Sequence, residues 1–147
     1  MSYKTHSFAS LNAFSKLLLD YLAEKPALQE FYRNGPQLSK FKDQIVAKKS
    51  FPATSRAILQ TVLEEQYAAI GAEMPSVDLR DENTFTVTTG HQLNIYTGPL
   101  YVIYKLVSTI NLARKLQKEY PSQHFVPIYW MATEDHDFEE INHFFAF

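Results

Sequence analysis

A chain of 147 residues and 17.0 kDa is long enough for one domain, or for one small domain with part of another. Apolar residues make up 46% and charged residues 20%, which excludes bulk disorder, and a net charge of −2 gives no basic surplus for a dedicated nucleic-acid binder. Cysteine is absent, which excludes a disulfide framework, a Cys-ligated zinc and a cysteine nucleophile from this chain.

In chain order, residues 1–80 are expected to form an N-terminal helical region. Leu11, Phe14, Leu17, Leu18, Tyr21 and Leu22 recur at helical spacing behind Ser10 as a cap. Pro26 breaks this pattern and Asn34-Gly35-Pro36 makes a turn. A short helix from Pro36 would carry Leu38, Phe41, Ile45 and Val46 inward. A longer one from about Thr54 would carry Ile58, Leu59, Val62, Leu63 and Ile70 on one face, ending at Gly71 and Pro75.

From residue 81 the pattern changes. Thr84 to Thr88 is β-branched and aromatic and reads as a strand, followed by a loop from Thr89 to Gly98. Pro99 suits the start of a helix over residues 100–120, with Tyr101, Tyr104, Val107, Ile110 and Leu116 as inward candidates. Phe125 to Met131 is apolar on both faces, as in a covered parallel strand; Trp130 is expected in the core, and Pro127 sits awkwardly. Strand, helix and strand make a βαβ unit. The chain stops at Phe144-Phe145-Ala146-Phe147, which reads as core rather than as a frayed end, so the front part of a longer protein is expected. There is no run of about 18 apolar residues and no secretory signal, so the expected setting is cytoplasmic, with no membrane partner.

Two polar constellations follow the two strands, where open α/β sheets bind ligands. The first runs from Thr88 to Tyr101. Gly90 and Gly98 allow close backbone approach, residues Thr97 and Gly98 lead into a helix N-terminus, and His91 and Gln92 can reach an anion. It matches neither the dinucleotide fingerprint nor a P-loop, and a loop capped for folding reasons alone is the competing reading. The second runs from Glu134 to His143, with five carboxylates and two histidines in ten residues. A histidine flanked by carboxylates can act as a general acid, a general base or an anion binder. A metal is a further option, although the spacing fits no compact ligand motif and no metal site is predicted. A solvated acidic loop capping the next helix is the plain alternative.

At these motifs the sequence resembles a known family. Thr89-Gly90-His91-Gln92, Thr97-Gly98-Pro99-Leu100-Tyr101 and Lys105, then Pro127 through His143, are similar to the bacillithiol biosynthesis cysteine-adding enzymes. The resemblance spans essentially the whole chain but only the opening part of a family member, which is several times longer. It implies an α/β fold: a partial Rossmann-like parallel sheet of the class I nucleotidyltransferase type, first part at 81–147, preceded by the helical region 1–80. It places a coiled coil outside this chain. The implied activity is a ligase reaction joining cysteine to the amine of glucosaminyl-malate, the last step in making this low-molecular-weight thiol. Amide formation from a free carboxylate needs activation, most simply as an acyl-adenylate, so ATP with magnesium is the implied cofactor. The implied nucleotide or anion cradle is Thr89, Gly90, His91, Gln92, Thr97 and Gly98. Acid/base or substrate-orienting work falls to Asp135, His136 and Asp137, with Glu134 as a further catalytic candidate and Tyr101 and Glu139 as substrate contacts. The competing class is a non-catalytic module whose helices and sheet edge support self-association as a homo-oligomer. Another nucleotidyltransferase on the same core is a third reading.

Overall fold

A computed structural model describes residues 4–94, 98–135, 139, 142 and 143. Its contacts group the chain into two compact units, residues 1–50 and 51–147.

In the first unit, the helix expected from Leu11 is split. A 3₁₀ turn, Phe8–Leu11, is capped by Ser7 and ends at Asn12 in the left-handed region (φ 48°). The helix proper, α1 (Lys16–Leu22), starts only after Ser15, whose side chain accepts from the Leu18 N–H at 3.3 Å. Two local caps therefore override the continuous apolar spacing. Beyond the 3₁₀ segments Pro26–Phe31 and Leu38–Lys40, α2 (Phe41–Lys48) buries Ile45, while Leu38 and Val46 are exposed, contrary to expectation.

The second unit opens with α3 (Ala53–Ala69). Gly71, at φ 65°, and Ala72 return their N–H groups to Ala68 and Tyr67, which ends the helix as the sequence suggests. Which face is buried is a correction. Ile58, Leu59, Val62 and Ile70 are exposed, and the buried side chains of α3 are Arg56 and Gln60. The reason is backbone satisfaction. The segment leading to the sheet has carbonyls that no ladder pairs, and Arg56 Nη1 donates to those of Leu79, Asp81 and Thr84 at 3.2, 3.1 and 2.9 Å. Gln60 Oε1 accepts from the Leu79 N–H at 2.9 Å, and the guanidinium lies 5.8 Å from the Phe51 ring centroid. Buried Leu79 anchors the same segment.

The βαβ unit is present as β1 (Thr84–Gln92), α4 (Leu100–Glu119) and β2 (His124–Ala132). The strands pair in parallel from Thr84↔His124 to Gln92↔Ala132. β1 therefore runs four residues past the expected end, through Thr89, Gly90, His91 and Gln92, because β2 supplies a partner along the whole length. Pro127 is accommodated by direction. The His124 N–H donates toward β1, to Asn83, whereas the Phe125 N–H turns to Gln117 Oε1, so alternation puts the missing N–H of Pro127 on the side away from β1.

α4 packs through Val102, Thr109, Ala113 and fully buried Leu116. Of the expected inward set only Leu116 is buried; Tyr101, Tyr104, Val107 and Ile110 lie on a second, exposed apolar stripe. Trp130 is 59% exposed rather than in the core. His91–Tyr101 and Phe125–Tyr120 ring contacts put α4 on one sheet face, and Trp130 alternates to the other. Among the described residues no helix is long and apolar enough to cross a membrane.

Replacing Arg56 with Met removes the donor shared by the Leu79, Asp81 and Thr84 carbonyls, of which Asp81 keeps the Thr84 N–H at 3.0 Å. Urea unfolding is expected to show a loss of about 2–4 kcal/mol; a loss under about 0.5 kcal/mol would contradict this role.

Candidate functional site

Parallel pairing without a slip brings the carboxyl ends of β1 and β2 to one edge. There Gly90, His91 and Gln92 face Trp130, Met131 and Ala132 across the ladder. Gly90 is required by proximity: a Cβ on it would stand 2.8 Å from the Trp130 carbonyl oxygen and 3.0 Å from the Trp130 Cβ. α4 returns across this edge with Tyr101 in its first turn and Lys105 one turn later, on the same helix face.

A cleft of about 480 Å³ opens between these elements. Its walls are Gly90, His91 and Gln92 from β1, Tyr101 and Lys105 from α4, and Ala132 and Asp135 from the end of β2. The Lys105 ammonium donates to the Gly90 carbonyl and lies 6.0 Å from the Tyr101 ring centroid. The His91 ring is tilted against Tyr101, with centroids 5.2 Å apart, and Nε2 is hydrogen-bonded to the Tyr101 hydroxyl. Nδ1 lies 2.7 Å from Asn94 Nδ2 and 2.9 Å from the Gln92 carbonyl oxygen. Tyr129 donates to the His91 carbonyl at 3.4 Å. One ammonium, one imidazole, one phenol and one carboxylate thus converge on a small volume. Such a set can bind an oxyanion through its cation and hydroxyl and direct a proton through its carboxylate.

Five sequence candidates line the cleft: Gly90, His91, Gln92, Tyr101 and Asp135. Thr89 lies within β1 opposite Tyr129 and does not line it. Gly98, at φ 68°, is packed against Asn94 rather than lining the cleft. Glu134 and Glu139 are exposed and outside the cleft wall. Thr97, His136 and Asp137 lie outside the described residues. Among the described residues, no group of three His, Cys, Asp or Glu is placed to hold a metal ion. Two participants were given no role by sequence reasoning. Lys105 had a usable signal, its spacing of four from Tyr101 on a helix. Asn94 had a weaker one, a short amide after the strand and four residues before a glycine.

The whole chain, residues 1–147, matches the family described as bacillithiol biosynthesis BshC, N-terminal Rossmann-like domain. The chain belongs to this family. Its parallel βαβ unit is the corresponding part of a Rossmann-like α/β fold. It is 52% identical over 143 residues to the "Putative cysteine ligase BshC" of Christiangramia forsetii, covering 94% of this chain and 27% of that protein. The protein of the same name from Flavobacterium psychrophilum is 52% identical over 144 residues, with 94% and 27% covered. That from Cytophaga hutchinsonii is 41% identical over 138 residues, with 91% and 26% covered. The chain spans about a quarter of the length of these curated relatives.

Two glycines with the same backbone strain separate conformation from crowding. Gly71 has φ 65° and nothing within 4 Å of an added Cβ, whereas a Cβ on Gly98 would lie 3.0 Å from the Asn94 Cβ. Gly71→Ala is expected to cost about 1 kcal/mol. Gly98→Ala is expected to cost about 1 kcal/mol more, through displacement of Asn94. Equal unfolding midpoints for the two variants would contradict the packing of Asn94 against Gly98.

Proposed function

We propose that this chain is the N-terminal part of a cysteine ligase of bacillithiol synthesis, and that the cleft at the carboxyl ends of β1 and β2 is part of its substrate site. The reaction proposed is formation of an amide between the carboxyl group of cysteine and the amine of glucosaminyl-malate. The observation that carries this reading is the convergence of Lys105, His91, Tyr101 and Asp135 at the strand ends, in a chain whose relatives are named cysteine ligases.

The reactants suit that set of groups. Cysteine and malate bring carboxylates, and an activating nucleotide brings phosphates. Lys105 and the Tyr101 hydroxyl, which His91 braces, fit an oxyanion of either kind. ATP, when bound, supplies the activation that makes amide formation downhill. Its phosphates would be held by Lys105 and by the Gly90–Gln92 end of β1, where Gly90 keeps the backbone accessible. Magnesium accompanying the nucleotide is assigned no residue here. Asp135 lines the cleft from beyond the end of β2, where its carboxylate can orient an ammonium group or take a proton from the attacking amine.

The exposed stripe of α4, Leu100, Ile103, Tyr104 and Val107, supports a second reading, a self-associating module. The two separate by ligand response: a substrate site raises the melting temperature when MgATP or glucosaminyl-malate binds, and a purely associating module does not.

In the full-length protein, Lys105→Met and Asp135→Asn are each expected to reduce cysteine addition by about a hundredfold or more, with little change in melting temperature for Asp135→Asn and only the loss of one hydrogen bond to the Gly90 carbonyl for Lys105→Met. Lys115→Met, exposed on the same helix, serves as the control and is expected to keep activity. Full activity in Lys105→Met would remove the cleft from the reaction.

A further inference from the structure

The neighbours of His91 determine which ring nitrogen carries its proton. One end of the Asn94 carboxamide lies 2.9 Å from the Gln92 carbonyl oxygen and 2.7 Å from His91 Nδ1. A carbonyl oxygen only accepts, so the group facing it is the amide nitrogen and not the amide oxygen. The second hydrogen of that nitrogen then meets His91 Nδ1, which must accept it. A proton on Nδ1 would set two donors against each other at 2.7 Å. The Gln92 oxygen is also 2.9 Å from Nδ1 and has a second lone pair to offer, but a proton placed there for it would still oppose the Asn94 N–H at 2.7 Å. The neutral ring therefore holds its proton on Nε2, which donates to the Tyr101 oxygen. The hydroxyl hydrogen of Tyr101 is left to donate elsewhere, on a side chain that lines the cleft next to Lys105.

Gly98 belongs to the same device. Its missing Cβ would stand 3.0 Å from the Asn94 Cβ and 3.1 Å from its Cγ. The left-handed glycine thus makes the space in which the Asn94 amide reaches back to the ring.

We infer that Asn94 is a positioning residue: it holds neutral His91 in the Nε2–H form and so presents the Tyr101 hydroxyl as a donor to a ligand oxyanion beside Lys105. This rests on the reading of the cleft as a substrate site and adds the chemistry that the site selects, an acceptor oxygen of a carboxylate or phosphate.

The test is nitrogen NMR of the His91 ring in the ligand-free full-length protein, read in the pH range where the two ring-nitrogen shifts no longer change with rising pH. It is paired with titrations of inorganic phosphate and of malate. The wild type is expected to show a protonated Nε2 and a bare Nδ1. Asn94→Asp, whose carboxylate only accepts, is expected to move the proton to Nδ1 and make Nε2 an acceptor for Tyr101. Anion affinity then falls about tenfold. Tyr101→Phe is expected to lose a similar factor and leave the tautomer unchanged, so the proposal stays testable if Asn94→Asp does not fold. A loss confined to phosphate, or to malate, identifies which oxyanion Tyr101 meets. A wild-type ring protonated on Nδ1 overturns the inference, as does unchanged affinity for both anions in Tyr101→Phe. If neither anion binds the wild type, the substrate-site reading fails, and the tautomer of the free protein still decides the role of Asn94.

Discussion

Two strands that run parallel deliver the residues that follow them to the same edge. Here the ladder holds one register from Thr84↔His124 to Gln92↔Ala132. A one-residue slip would turn His91 to the opposite face and separate it from Tyr101. The close passage of Gly90 beside Trp130 helps to fix that register, because a side chain at position 90 would meet the β2 backbone. Lys105 secures the same point from the helix side by donating to the Gly90 carbonyl. The cleft is thus a consequence of strand direction and register, with α4 closing one wall.

The start of β1 is held by a different kind of interaction. The turn before it and its first residue, Thr84, present carbonyls inward, and one buried guanidinium on α3 serves three of them. Burying a cation is costly unless its donors are used; here three backbone carbonyls accept from Nη1, while the buried Nε is left without a partner. The same helix leaves Ile58, Leu59 and Val62 exposed. α3 is therefore oriented by backbone hydrogen bonding rather than by its apolar stripe. A similar priority operates on α4, where a stripe containing Thr109 and Ala113 packs on the sheet and one containing Ile103, Tyr104 and Val107 does not.

Those priorities explain what the sequence made legible. The βαβ order was readable because β-branched runs, a Pro-started helix and flanking turns all pointed the same way. Part of the cleft lining was readable because a polar motif at the carboxyl end of a strand and the start of the next helix has few structural reasons to be there: Gly90, His91, Gln92, Tyr101 and Asp135 meet in it. Burial on the helices was not readable. Periodicity finds apolar faces but cannot rank two faces of one helix, or foresee that Arg56 answers carbonyls more than twenty residues away. The extent of β1 was missed for a related reason, since its last four residues are strand only because β2 pairs with them. Lys105 and Asn94, both within the motif, were given no role because each acts through a contact the chain makes after folding, one with a backbone carbonyl and one with a ring nitrogen.

The central claim is that ligand binds at the shared carboxyl edge of the strands. Amide hydrogen exchange of the full-length protein, with and without glucosaminyl-malate and MgATP, tests this directly. The account predicts that protection within this chain is concentrated at residues 90–94, 101–105 and 132–135. Protection that leaves those segments unchanged and falls instead on the exposed stripes of α3 or α4 would contradict it.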